Sequence, residues 1–246
     1  MEDIDLIRPD WPAPASVAAC VTTRRGGYSS SPYDSLNLGD HVGDDPECVQ
    51  RNRERLSKLL DLPSEPKWLN QVHGTKVLDA AQIQPSAEAD ACYSREPGVV
   101  CAIMTADCLP VFFSDDEGRE VAVAHAGWRG LVAGVLEATI DAMRTPPGRI
   151  ITWLGPAIGP ERFEVGDEVQ AAFQKKDPAA TQAFEPSPSG RWLANIYTLA
   201  RQRLEQAGVK AISGGEACTF LDEEEFYSYR RNGQQSGRMA SLVWIK

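Results

Sequence analysis

Histidine is scarce in this chain, with three among 246 residues, at positions 41, 73 and 125. Chemistry that needs many imidazoles is therefore excluded. Cysteine occurs six times, at 20, 48, 92, 101, 108 and 218, but no pair has the two-residue gap of a zinc ribbon or a redox dithiol. Long apolar runs are missing too: stretches such as 98–104 are far too short to cross a bilayer. Positive charge is in deficit, with 25 Lys and Arg against 35 Asp and Glu, for a net charge of −10. The whole molecule thus repels nucleic-acid backbones and anionic membrane faces, and no nucleic acid or membrane is expected as a partner. An anionic substrate would need a local cluster of arginines to receive it.

The opening segment MEDIDLIRPDWPAP is acidic and carries Pro9 and Pro12, the opposite of a basic, apolar secretion leader. The expectation is a cytoplasmic protein whose cysteines are free thiols, most of them packed as small core hydrophobes. A hydrophobic fraction of 42% supplies enough apolar surface for a sizeable core. With no repeat, low-complexity tract or linker to divide it, the chain reads as one domain over residues 1–246.

A β-prone run over 17–23 ends in the Arg24-Arg25-Gly26-Gly27 turn, and the stretch to Gly43 lacks a helical period, which predicts a long ordered loop. Asp44-Asp45-Pro46 is a helix start, and Val49, Leu56, Leu59 and Leu60 form an apolar face as far as Asp61. Strands are predicted over 67–73, 99–105, 111–113 and 120–125, with a hairpin turn at 115–118. A helix should follow His125, with Leu131, Val135, Leu136, Thr139 and Ile140 on one face. A further strand over 150–154 leads into the irregular GPAIGP, then helices over 166–175 and 192–206, the second stopped by Gly208. A strand over 226–231, an Asn232-Gly233 turn and a last strand over 239–245 close the chain.

His73 ends WLNQVHG, Cys108 follows a strand in MTADCLP, and His125 ends the strand of EVAVAHAGWRG. If all three sit at strand ends, their side chains can converge on one pocket. Two imidazoles and a thiolate suit zinc, and three protein ligands leave the fourth position open, the arrangement of a catalytic site. Two other readings use the same residues. The histidines can be polar caps at strand ends with Cys108 a packed thiol, or Cys108 can be a nucleophile with His125 as base and Asp107 or Asp90 orienting that base.

Taken together, the stretches WPAP, TTRRGG, YDSLNLGDHVGD, NRERL, WLNQVHG, MTADCLPVFF, HAGWRGLVAGVLE, WLGPAIGP, FEVGDEV, YSYRRNGQQSGRMAS and VWI resemble the YfiH-like family, also called laccase-domain or multicopper polyphenol oxidase-type proteins. The resemblance covers essentially the whole chain. It implies an α+β fold of mixed β-sheets with flanking helices, similar to the cysteine-hydrolase-like fold of deamidating toxins. It also implies a metal-dependent purine nucleoside phosphorylase acting on adenosine, inosine, guanosine and 5′-methylthioadenosine, with adenosine deaminase activity. His73, Cys108 and His125 fall on the family's metal-binding and catalytic residues, with zinc expected and copper the alternative. Multicopper oxidases use about ten histidines over their copper centres, so an oxidase with three is limited to one copper ion. An amide hydrolase acting on a cell-wall precursor is the remaining alternative.

Phosphorolysis requires a clamp for phosphate, and the planar fork of arginine suits it. The candidates are Arg230-Arg231, Arg24-Arg25 and Arg129, each beside a glycine turn or a helix start. Asn37 and His41 in SLNLGDHVGD can contact ribose or base, or can hold the loop together. Trp128 and Tyr229 offer rings on which a purine can stack. The expected partners are purine nucleosides and phosphate, with the chain a monomer or weak homo-oligomer.

Overall fold

The computed structural model describes residues 3–246. Along the chain the first strands are β1 (Leu6–Ile7) and β2 (Val17–Thr22), followed by an ordered loop to the helix α1 (Pro46–Leu60). Asp45 starts that helix by accepting the Glu47 N–H at 2.9 Å, with Pro46 in the first turn, where its missing donor costs nothing. Next come β3 (Val77–Asp79), β4 (Ala91–Ser94), β5 (Cys101–Thr105), β6 (Leu109–Asp115) and β7 (Val121–Ala126). Two helices follow, α2 (Trp128–Ala133) and α3 (Val135–Ala142), then β8 (Ile150–Leu154), β9 (Glu164–Val165), α4 (Asp167–Lys176), β10 (Phe184–Pro186) and β11 (Trp192–Ala194). The chain finishes with α5 (Ile196–Gln206), β12 (Ala211–Gly214), the one-turn α6 (Tyr229–Asn232) and β13 (Met239–Ile245).

The fold is α+β, with mixed sheets and flanking helices. A six-stranded sheet runs β12-β8-β6-β7-β4-β3, parallel at its two edge pairs and antiparallel between. An antiparallel four-stranded sheet runs β1-β2-β13-β5, and a small one runs β10-β11-β9. Residue alternation shows how the two larger sheets are stacked. On β7, Val121 and Val123 pack with Ile103, Met239 and Val243 of the four-stranded sheet. Ala122, Ala124 and Ala126 face the other way, toward Leu136 and Ile140 of α3 and Leu199 of α5. Leu242 and Trp244 of β13 point outward beneath Leu56 of α1. Both faces of the central strands are thus buried, which is why they read as unbroken apolar runs instead of alternating with polar residues.

Four predicted elements differ. Residues 67–73 form no strand: only isolated bridges link Lys67 to Cys101 and Asn70 to Glu88. There the Gln71 amide stands in for a strand, accepting the Met104 N–H at 2.7 Å and donating to the Met104 carbonyl at 2.8 Å. The helix after His125 is broken into two at Gly134, whose φ of 112° favours glycine. Residues 192–194 are strand β11, because Asn195 caps α5 by accepting the Thr198 N–H at 3.0 Å and so fixes the later start. Residues 226–231 are not a strand: Ser228 accepts the Arg231 N–H at 3.2 Å and starts α6.

The antiparallel order brings the end of β7, the start of β6 and the start of β4 to the same edge of the six-stranded sheet, with Leu109 opposite Ala126 and Ala91 opposite Ala124. Cys108 immediately precedes β6, Asp90 immediately precedes β4, and His125 is the penultimate residue of β7. The loop carrying His73 comes over this edge from before β3.

Candidate metal centre and its cavity

His73, Cys108 and His125 each offer a ligand atom, and these atoms lie within 4.8 Å of one another. His125 sits in the core, 3% exposed, whereas the His73 ring is exposed. Cys108 Sγ is 3.9 Å from His73 Nε2, and the two imidazoles meet edge to face with centroids 4.8 Å apart. The span slightly exceeds two zinc bonds of about 2.3 Å laid end to end, and the exposed His73 is the ring free to close it. His73 does not end a strand as expected. It occupies a turn with φ of 59°, in the left-handed region.

The Asp90 carboxylate explains why that turn holds. Fully buried, its Oδ1 accepts the His73 N–H at 2.9 Å and pairs with His125 Nδ1 at 2.8 Å; its Oδ2 accepts the N–H groups of Gly74 at 2.6 Å and Val72 at 3.2 Å. Burial pushes the Asp90 pKa up, but the bonds from His125, Gly74 and His73 outweigh it and hold the carboxyl below its ordinary range. An Asp90 carboxylate facing Nδ1 fixes a proton there and leaves Nε2 of His125, directed toward Cys108 and His73, as the nitrogen a metal would take in place of its proton, the outer-shell arrangement common to metal-bound histidines. Of the two orienting residues considered from sequence, the structure selects Asp90. Asp107 instead accepts from Thr219 Oγ1 at 2.7 Å, Ser228 Oγ at 3.0 Å and the Arg230 N–H at 2.6 Å.

Electrostatically the cluster favours a thiolate. Burial raises the Cys108 pKa, but His125 and then His73 overcome this and bring it down to about 6. His125 moves the opposite way: burial lowers it, but the Cys108 thiolate and Asp90 raise it to about 9. A thiolate and two imidazoles are donors that borderline-soft cations take. There is also room for an ion. A Cβ added at Gly127 would stand 2.7 Å from His73 Cδ2 and 3.0 Å from Cys108 Sγ, so the absent side chain leaves the space above the cluster open. Gly130 serves the same end one turn later, since a Cβ there would lie 2.9 Å from the Gly74 carbonyl and push α2 off the His73 turn. By donor chemistry, by space and by second-layer support, these residues fit a metal ion.

The cluster opens into a cavity of about 430 Å³, within the size range of small-molecule sites. Apolar walls come from Met104, Ile158, Phe163 and Ile196, and rings from Trp128 and Tyr229. His41, Arg129 and Arg230 also line it, as does Arg238, which sequence reasoning did not single out. Arg238 lies alone before an apolar strand, with no glycine pair or second arginine to mark it.

Four of the proposed substrate residues do not reach the cavity. Arg24 donates to the carbonyls of Asp34 and Glu223 and pairs with the Asp34 carboxylate at 3.3 Å. Arg25 pairs with Glu224 at 2.9 Å. Arg231 donates to the carbonyls of Thr219, Phe220 and Phe226 at 2.9, 2.8 and 2.6 Å. Asn37 is fully buried and ties its own loop, donating to the Gly39 carbonyl and the Asp44 carboxylate and accepting the N–H groups of Gly39 and Arg238. These are structural arginines and a structural amide, held by the chain itself.

The family described as multi-copper polyphenol oxidoreductase laccase matches residues 18–246. A purine nucleoside phosphorylase of Pseudomonas aeruginosa is 56% identical over 243 residues, covering 98% of each chain. The Escherichia coli purine nucleoside phosphorylase YfiH is 55% identical over 241 residues, again covering 98% of each. Among solved structures, the Neisseria meningitidis protein NMB0706 superposes with a TM-score of 0.94 at 50% identity, covering 98% of this chain and 99% of that one. With its sequence matched from residue 18 to its end and its backbone shared with such relatives, the chain belongs to the YfiH family of laccase-like proteins.

Proposed function

We propose that the chain is a purine nucleoside phosphorylase working around one metal ion, zinc, held by His73, Cys108 and His125 within a single catalytic domain. The observation that carries this reading is that the three donors share one cavity with three arginines, Arg129, Arg230 and Arg238, none of which is in an ion pair among the described residues. The names of the relatives supply the substrate class. Phosphate and a purine nucleoside together need what the cavity offers: positive charge without a carboxylate partner, and rings and apolar walls for a flat base.

Zinc bound there would act as a Lewis acid toward an oxygen of phosphate or water. The chain's own contribution is positioning. Asp90 fixes the His125 tautomer and the His73 turn, the arginines compensate the phosphate charge, and Trp128 and Tyr229 flank the base. An oxygen of hydrogen phosphate then forms its bond to the anomeric carbon as the glycosidic C–N bond breaks, and the proton that the phosphate gives up leaves on the purine. Holding both reactants aligned supplies much of the barrier reduction. Deamination of adenosine would use water in place of phosphate in the same cavity. The cytoplasm, where purine nucleosides, phosphate and reduced thiols coexist, is the compartment this reading requires.

Oxidase chemistry of the multi-copper kind does not fit the residues, since only two of the three histidines meet. A second reading is favoured by the Cys108–His125–Asp90 array, which also suits a cysteine nucleophile attacking an amide of a cell-wall precursor. Metal analysis separates the two, because a bound metal takes the thiolate that a covalent mechanism needs free. The test is elemental analysis of purified protein, then incubation with adenosine with and without phosphate and chromatography of the products. Stoichiometric zinc with adenine and ribose 1-phosphate formed only when phosphate is present supports phosphorolysis, and inosine formed without phosphate supports deamination. Absence of metal and of any nucleoside product would overturn the reading.

A further inference from the structure

We infer that Arg238 is the residue that seats inorganic phosphate, presenting the Nε–Nη2 edge of its guanidinium to a tetrahedral oxyanion beside the His73–Cys108–His125 cluster. The inference rests on the phosphorolysis reading and assigns a role within it. Arg238 lines the cavity, partly buried. Its Nη1 is held by the carbonyls of Ser236 at 2.6 Å and Gly237 at 3.0 Å. That leaves Nε and Nη2 without an acceptor among the described residues, and these two donors are the parallel pair that grips an oxyanion in bidentate fashion.

The surrounding chain fixes this edge in advance. The Arg238 N–H donates to the buried Asn37 amide at 2.9 Å, and Gly39 lies against its stem so closely that a Cβ there would come within 2.7 Å of Cγ. The guanidinium therefore reaches the cavity on a stem clamped at its base. No carboxylate forms an ion pair with it among the described residues: burial acts against its charge, and Cys108, Asp107, Tyr229 and Tyr33 favour it only through space. Burial, then the positive charge of Arg238 and, least, that of Arg53, hold His41 of the cavity lining below its ordinary pKa despite Asp40. A desolvated cation without a partner is costly unless an anion completes it.

The other two arginines of the cavity are less suited. Arg230 likewise binds two carbonyls through Nη1, those of Arg162 and Glu164 at 3.2 and 3.0 Å, and lies over the Phe163 ring as Arg238 lies over Tyr229, but it is exposed where Arg238 is partly buried. Arg129 is exposed and lies over Trp128 at 4.5 Å. Both belong to the rim, where solvent screens them.

The test uses zinc-loaded full-length protein and inorganic phosphate as the probe. Phosphate binding is measured by calorimetry with and without a purine base, and the phosphate KM is measured in nucleoside phosphorolysis. Each charge-assisted hydrogen bond lost costs roughly tenfold, so Arg238→Gln should weaken phosphate about 100-fold and leave zinc content and nucleoside KM near wild type. Arg238→Lys, which keeps charge but loses the fork, should recover only part of this. Gly39→Ala, outside the cavity, should also raise the phosphate KM by displacing the stem, and it keeps the inference testable if Arg238→Gln fails to fold. Unchanged phosphate affinity in folded Arg238→Gln, or a larger loss in Arg230→Gln, would overturn the assignment. So would a wild-type protein that binds no phosphate under either condition. If wild type binds phosphate through Arg238 but cleaves no nucleoside, the anion site stands and the phosphorylase reading falls.

Discussion

Replacing Asp90 by asparagine changes one oxygen for one nitrogen, and the structure states what must break. Oδ1 receives the His73 N–H and faces His125 Nδ1, while Oδ2 receives the N–H groups of Val72 and Gly74. An amide has one acceptor, so whichever way it is turned, its NH2 group confronts donors. If the NH2 faces Val72 and Gly74, two backbone donors lose their acceptor and the turn that carries His73 at φ of 59° loses its support. If it faces His125, Nδ1 must become the acceptor, and the proton moves to Nε2, the nitrogen needed as a ligand. At about 1–3 kcal/mol for each buried donor left without a partner, two donors cost about 2–6 kcal/mol. In a chain of this length that is a fall in Tm on the order of 10 °C. Loss of an outer-layer partner additionally weakens metal binding by about 10–100-fold. The assay is thermal denaturation of the metal-free and zinc-loaded protein, with zinc affinity measured by chelator competition. Because Asp90 holds the turn whether or not metal is present, the metal-free variant should lose stability as well. Wild-type zinc affinity together with an unchanged metal-free Tm in Asp90→Asn would refute the reasoning.

Gly127→Ala should abolish or strongly weaken zinc binding while leaving the fold nearly intact, since its Cβ would enter the space beside His73 and Cys108; full zinc occupancy by elemental analysis would contradict this. Cys108→Ala should remove both metal and phosphorolysis yet keep the far-ultraviolet circular dichroism of wild type, and normal turnover with full occupancy would sink the role assigned to the thiolate. Glu120 is buried, which raises its pKa, but Arg95, Thr145 and the N–H groups of Arg144 and Thr145 outweigh burial and hold it below the ordinary glutamate value of 4.5. Its stabilising contribution is therefore complete at neutral pH and lost as pH falls through the depressed folded value. The Tm gap between wild type and Glu120→Gln should narrow on acidification, and a gap constant down to about pH 3 would count against it.

The central strands were legible because burial on both faces writes itself into composition. VAVA before His125 and LPVFF are apolar at successive positions, and β6, β7 and β13 lie where the sequence predicts them. The start of α1 was legible for a different reason, that Asp45 and Pro46 carry cap chemistry in the residues themselves. The segments 67–73 and 226–231 carry strand-like composition yet form no strand, because their structure is set from elsewhere. Gln71 pairs with the backbone of Met104, 33 positions away, and Asp107 takes the N–H of Arg230, 123 positions away. Local periodicity contains no trace of such partners.

The same physics decided which candidate arginines reach the cavity. Adjacency and flanking glycine made Arg230 and Arg231 look like a pair, but consecutive residues on a helical turn point about 100° apart, so one α6 residue lines the cavity while the other turns to three backbone carbonyls. The cavity is built instead by buried polar side chains that act on the backbone of its working residues. Asp90 receives the His73 N–H, Asp107 the Arg230 N–H, and Asn37 the Arg238 N–H. Asp90 and Asn37 are fully buried and Asp107 nearly so, and all three are satisfied by bonds that a charge or amide can make only inside a finished fold. Each lies in a different segment from the residue it holds, so the His73–Cys108–His125 cluster and the arginines around it are positioned by contacts that exist only after the sheets have stacked. Removing one such acceptor should therefore disturb only the working residues it holds, both histidines for Asp90 and Arg238 for Asn37. Asn37→Ala should move Arg238 and impair phosphate use while sparing zinc, whereas Asp90→Asn should lose zinc.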